Sequence, residues 1–166
     1  MSLVDFRRVV VDRARGTLYL PTSGMKIGLG GIAKGYALDQ AAERLRALGL
    51  ADFLLAAGGQ VLAAGTRDGA AWRVGLRDPR GATTDLFASV ELAGGSVSTS
   101  GDYERYFESD GVRYHHILDP HSGWPSRGLR SATAIAPDGT LADALSTAFM
   151  VLGTEASLAL VARLAA

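Results

Sequence analysis

The chain contains no cysteine, which excludes disulfides and thiolate metal sites but leaves the compartment open. It has no net charge: 17 basic residues balance 17 acidic ones. No global field therefore favours nucleic acid or an anionic membrane, although local basic patches remain open. Lysine is almost absent, with Lys26 and Lys34 alone among basic residues that are otherwise arginine. No uninterrupted apolar run approaches the roughly 20 residues of a membrane-spanning helix. The opening Met1-Ser2-Leu3-Val4-Asp5 has neither the basic region nor the apolar core of a signal peptide. Repeats, low-complexity tracts and linkers are also lacking.

What is there fits one soluble globular domain of 166 residues, 48% apolar and 20% charged. Short β-rich runs are expected at 7–11 and 17–20. A glycine-rich bend then opens a helix over 32–48, with Ile32, Tyr36, Ala37, Ala41, Leu45 and Leu48 at helical spacing and Gly49 as its stop. Strands follow at 53–57 and 60–64 around Gly58-Gly59, then at 72–76, 86–92 and 96–99. Residues 100–125 are the most informative stretch. Asp110-Gly111 between two aromatic runs predicts a hairpin whose second strand covers 112–118. A last strand is expected at 132–136, then a helix over 141–152 capped by Thr140 and one over 155–165 capped by Thr154. Many short sequential strands with few helices predict an α+β fold, an antiparallel sheet covered by helices.

Three groups of residues carry chemistry, each with a plainer alternative. Gly28-Leu-Gly-Gly-Ile-Ala-Lys-Gly35 sets glycines and Lys34 at a helix N-terminus, where free N–H groups suit a phosphate. The same segment also reads as an ordinary strand-to-helix turn. It fits neither a dinucleotide fingerprint in a βαβ context nor a P-loop, since no Ser or Thr follows Lys34. Asp143 and Thr147 lie four apart, so they share a helix face and offer oxygens of the kind magnesium takes. The alternative is a solvent-facing first-turn Asp143 and a Thr147 bonded back to a carbonyl. His115, His116, His121 and Asp119 raise a zinc site, against which adjacent strand residues point to opposite faces. A single histidine acting as general base is the stronger reading, and surface histidines of a hairpin the plainer one.

Six segments occur together and in order: Leu29-Gly-Gly-Ile-Ala-Lys-Gly-Tyr-Ala-Leu-Asp39, Ala57-Gly-Gly59, Trp72-x-Val-Gly-Leu-x-Asp-Pro79, Thr99-Ser-Gly-Asp-Tyr-Glu-Arg-Tyr-Phe-Glu108, His116-Ile-Leu-Asp-Pro-x-Ser-Gly-Trp-Pro125 and Ala142-Asp-Ala-Leu-Ser-Thr147. Together they resemble the ApbE family, the FAD:protein FMN transferases once called thiamine biosynthesis lipoproteins. The resemblance spans nearly all of residues 1–166 and implies one ApbE-like domain, equivalent to the C-terminal half of a usual member. It implies that a longer protein supplies the N-terminal half, which helps hold flavin and adenine. It also implies cleavage of FAD, transfer of FMN to a Ser or Thr of a target flavoprotein, and release of AMP. Magnesium would be held by Asp143, Thr147 and the Gly31 carbonyl, with Ser146 nearby. Gly30, Lys34 and Ile117 would lie along FAD, and His116 would be the base. Members are often exported and membrane-anchored. Gly28, Ala56 and Gln60 depart from the family's usual Asp, Asn and Asp, which keeps open a non-catalytic flavin- or nucleotide-binding relative.

Overall fold

In the computed structural model, which describes residues 3–164, the chain folds as α+β with every strand pairing antiparallel. A short 3-10 turn, Phe6–Arg8, precedes strands β1 (Val10–Asp12) and β2 (Thr17–Tyr19). The strand expected over 7–11 thus begins later. Asp5 accepts from the Arg7 backbone N–H and holds the preceding residues in the turn. Helix α1 (Ala33–Ala47) follows, then β3 (Phe53–Ala57), β4 (Gln60–Ala64), β5 (Trp72–Arg77), β6 (Leu86–Leu92) and β7 (Gly94–Gly101). Next come β8 (Tyr106–Ser109), β9 (Val112–His115), β10 (Ser131–Ala136) and α2 (Gly139–Leu164).

The central sheet has the order β10-β7-β4-β3. Period-two alternation divides its two faces. Leu62 and Ala64 of β4 pack with Phe53 against Leu38 and Ala42 of α1. Ala63 and Val97 face the other way and join Val74 and Leu92 of the β5–β6 hairpin. The sheet therefore lies between a helical layer and a hairpin. Asp110 and Gly111 take φ of 50° and 74°, the left-handed pair that a two-residue hairpin turn requires. Strand β9 ends at His115 rather than continuing to residue 118. Beyond it the His116 N–H donates to the Arg105 carbonyl, and Leu118 makes only an isolated bridge to Pro125.

Helix α2 corrects one expectation and bears out another. Asp138, not Thr140, caps it, accepting from Leu141 N–H at 2.7 Å. The two expected helices meet at Gly153, whose φ of 76° and ψ of 177° leave the helical region and end the first, as expected. Ala165, the expected end of the second helix, lies outside the described residues. Because Gly153 breaks α2, neither of its two helical parts alone reaches the roughly 20 residues of a membrane-spanning helix. The first half of α2 packs on β7, β10 and α1, burying Ala142, Phe149 and Met150. Leu158, Val161 and Leu164 in its second half are exposed.

Candidate active site

The site forms where the N-terminus of α1 meets the first turns of α2. Ile32, the residue before α1, offers no side-chain cap. The cap comes from α2 instead. Asp143 is wholly buried, and its Oδ2 accepts from Gly35 N–H at 3.1 Å. Its Oδ1 accepts from Lys34 Nζ at 2.8 Å. A buried carboxylate needs such partners, and here it has a helix terminus and a cation together. Asp143 is therefore not a solvent-facing first-turn residue. In return Asp39 of α1 accepts from Gly139 N–H at 2.6 Å and Thr140 N–H at 2.8 Å.

Thr147, one turn on from Asp143, stands beside Gly31. A Cβ at Gly31 would lie 3.2 Å from Thr147 Cγ2 and 3.3 Å from its Oγ. Only glycine leaves that space open. Behind Thr147 the inward face of β7 carries serines at alternate positions. Ser100 Oγ lies 3.2 Å from Thr147 Oγ and 3.0 Å from Ser146 Oγ, and Ser98 Oγ lies 3.1 Å from Ser146 Oγ. This hydroxyl cluster was not singled out from sequence. Its signal was the Ser96-x-Ser98-x-Ser100 alternation, which puts polar groups on the helix-facing side of a central strand.

The two adjacent histidines have different surroundings. His115 is buried, donating from Nε2 to the Ser126 carbonyl at 2.9 Å and accepting at Nδ1 from Ile117 N–H at 3.3 Å. His116 is exposed, and its Nδ1 lies 3.2 Å from the Arg105 carbonyl. Since a carbonyl only accepts, Nδ1 carries the proton and Nε2 keeps its lone pair. His121 sits apart on Asp119, 3.1 Å from its carboxylate. The loop's N–H of His121 and the Ser122 hydroxyl hold the Asp119 carboxyl below its usual range. Among the described residues, no three His, Cys, Asp or Glu side chains converge as a metal set.

A cavity of about 550 Å³ joins these parts. Its wall includes Gly30, Gly31, Lys34, Thr147, His116 and Ile117, so six of the seven site residues expected from sequence line one space. The seventh, Asp143, lies beneath it and reaches the wall through Lys34. A second cavity of about 310 Å³, between the central sheet and β5, contains Ala56, Arg77 and Tyr103. The two share Gly58, Thr99 and Glu104 and so adjoin. Gln60 also lines the second cavity. Its side chain is buried under α2 and donates to the Gly139 carbonyl at 2.7 Å and to Ser96 Oγ at 3.2 Å. Gly28 leaves room for a side chain, since a Cβ there would meet nothing within 4 Å.

Residues 1–166 match the sequence model of the ApbE family. The chain belongs to that family. It is 44% identical to the FAD:protein FMN transferase of Treponema pallidum over 96% of its own length and 48% of that protein's. The crystal structure of the ApbE protein of Thermotoga maritima superposes with a TM-score of 0.84 at 46% identity, covering 91% of this chain and 49% of that one. The apo flavinyl transferase ApbE of Pseudomonas stutzeri gives 0.81 at 39% identity, over 99% and 50% of the two chains. This ApbE chain thus spans about half the length of the relatives it matches.

Proposed function

We propose that this chain carries the phosphate-handling and acceptor-activating part of an FAD:protein FMN transferase. The observation that supports it most is the single cavity lined by Lys34, Thr147 and His116. The donor set suits magnesium: a carboxylate from Asp143, a hydroxyl from Thr147 and a carbonyl from Gly31 are all hard oxygens. Without a Cβ, Gly31 leaves the Thr147 side chain uncrowded. When bound, magnesium would offset negative charge on the pyrophosphate of FAD.

The chain's own residues do the rest. Lys34 is a point charge on the cavity wall at the N-terminus of α1, where the helix dipole also favours an anion, and it orients the pyrophosphate. Asp143 holds Lys34 in place by their ion pair. The Arg105 carbonyl holds His116 in the tautomer with a free Nε2. That nitrogen takes the proton of a target Ser or Thr hydroxyl. The hydroxyl oxygen bonds to the phosphorus of the FMN half, the bond from that phosphorus to the bridging oxygen breaks, and AMP leaves with the electron pair. Water in place of the hydroxyl gives FMN and AMP.

A second reading is a flavin- or nucleotide-binding relative without turnover. Gly28 and Ala56 favour it, since neither supplies a polar side chain. Incubation with FAD, magnesium and a hydroxyl-bearing acceptor separates the two, with AMP measured as product. Release of AMP that disappears in the His116→Ala variant supports transfer. Binding of FAD with no AMP above background supports the second reading and overturns the first.

A further inference from the structure

We infer that Ser100 is a positioning residue that fixes the direction of the Thr147 hydroxyl proton and so leaves both Thr147 oxygen lone pairs free for a cation. This rests on the magnesium reading above, but it concerns a residue outside that ligand set. The argument is a count of protons. Ser146 Oγ lies 3.0 Å from the Asp143 backbone carbonyl, which has no proton, so Ser146 donates there. A hydroxyl has one proton, and that of Ser146 is now committed. The contacts with Ser98 at 3.1 Å and Ser100 at 3.0 Å must therefore both be donated to Ser146. They fill its two lone pairs. The Ser100 proton is committed in turn, so the contact between Ser100 and Thr147 at 3.2 Å must be donated by Thr147.

The chain of donation thus runs from Thr147 through Ser100 and Ser146 to the Asp143 carbonyl. It ends on the residue whose side chain holds Lys34. Its consequence lies at the other end. With its proton turned toward β7, the Thr147 oxygen is an acceptor toward the cavity that it lines with Gly31. Ser98 provides an internal control. It is as buried as Ser146 and shares the same partner, but it lies off the route to Thr147.

Manganese(II) is the probe, titrated into the full chain while free ion is followed by electron paramagnetic resonance. Outer-shell partners of metal ligands typically carry 10–100-fold in affinity. Ser100→Ala is expected to weaken manganese binding about tenfold, with Ser98→Ala and Ser100→Thr close to wild type. Melting temperatures of all three should stay together, which separates positioning from folding. Wild-type-like affinity in Ser100→Ala, or an equal loss in Ser98→Ala, would overturn the relay alone. Failure of the wild-type chain to bind manganese, or binding indifferent to Asp143→Asn and Thr147→Ala, would overturn the metal reading together with it.

Discussion

Asp39 and Asp143 cap each other's helices: the carboxylate of Asp39 on α1 closes the N-terminus of α2, and that of Asp143 on α2 closes the N-terminus of α1. The site is therefore built on a helix pair whose ends are tied in both directions. Losing a carboxylate cap typically costs about 0.5–2 kcal/mol. Asp39→Ala should lower stability by that amount in urea titrations while leaving manganese affinity within a few-fold of wild type. Asp143→Ala should cost more stability, because Gly35 N–H and Lys34 both lose a buried partner, and should also abolish manganese binding. Equal effects of the two variants on metal affinity would refute the division of roles.

The same junction explains Gly35. A Cβ there would fall 2.0 Å from the Gly139 carbonyl oxygen. Alanine is favoured over glycine in a helix by about 1 kcal/mol, so propensity alone predicts a gain at this position. Packing reverses the sign. Overpacking of this kind costs typically ~1–3 kcal/mol, occasionally more, and neither backbone can yield without parting the helices. Gly35→Ala is expected to be clearly destabilised in thermal melts. Gly30→Ala, where a Cβ would meet nothing within 4 Å, should melt close to wild type. A stabilised Gly35→Ala variant would show that the helices need not approach so closely.

Much of this was legible in the chain and some was not, for physical reasons. Strands β3 and β4 run as expected because Gly58-Gly59 marks the turn between them, and β6 because polar residues precede its run and Gly94-Gly95 follows shortly after it. The antiparallel sheet under two helices followed from the order of the elements. Six of the seven residues singled out by the family resemblance line one cavity, and Asp143 lies beneath it. The failures lie where distant partners decide. Thr140 is an acceptable cap by type, yet its hydroxyl and N–H are taken by Asp39, a hundred residues away, and Asp138 caps instead. Asp143 reads as costly on an apolar helix because its partners belong to α1. Gln60 reads as a ligand-side change because the family's usual Asp stands there, while the contact by which it ties β4 to the start of α2 lies with a partner distant in the chain.

Acid should expose a second support. Asp102 receives two hydrogen bonds from Arg80, at 2.8 and 2.6 Å, with Arg113 3.6 Å away. Burial works to raise its pKa, but the Arg80 bonds and the charges of Arg80 and Arg113 outweigh it, and the carboxyl ends below its ordinary 3.8. A depressed carboxylate contributes stability that is fully present above the unfolded value and lost as pH falls through the folded one. Wild type should therefore be more stable than Asp102→Asn near neutral pH, and the margin should shrink only below about pH 4. Urea midpoints of both proteins measured across that range would test it. A margin independent of pH would mean that the carboxylate's charge contributes nothing.

The adjacent histidines give the sharpest contrast, because position alone separates them. His115 is buried with both ring nitrogens engaged, so His115→Ala leaves the Ser126 carbonyl and Ile117 N–H without their partner. Unsatisfied buried groups cost about 1–3 kcal/mol each. His116 is exposed and uses only Nδ1, on the Arg105 carbonyl. Surface substitutions usually stay within about 0.5 kcal/mol, so His116→Ala should unfold almost as wild type does. For turnover the order reverses. A positioned general base contributes roughly 10²–10⁴ in rate, and of the two histidines only His116 lines the cavity. His116→Ala should abolish FMN transfer in the assay with FAD and acceptor, yet keep manganese affinity, since its ring lies outside the Asp143 and Thr147 donor set. Folded, manganese-binding His116→Ala protein with undiminished AMP release would remove His116 from the chemistry and require another base in the cavity.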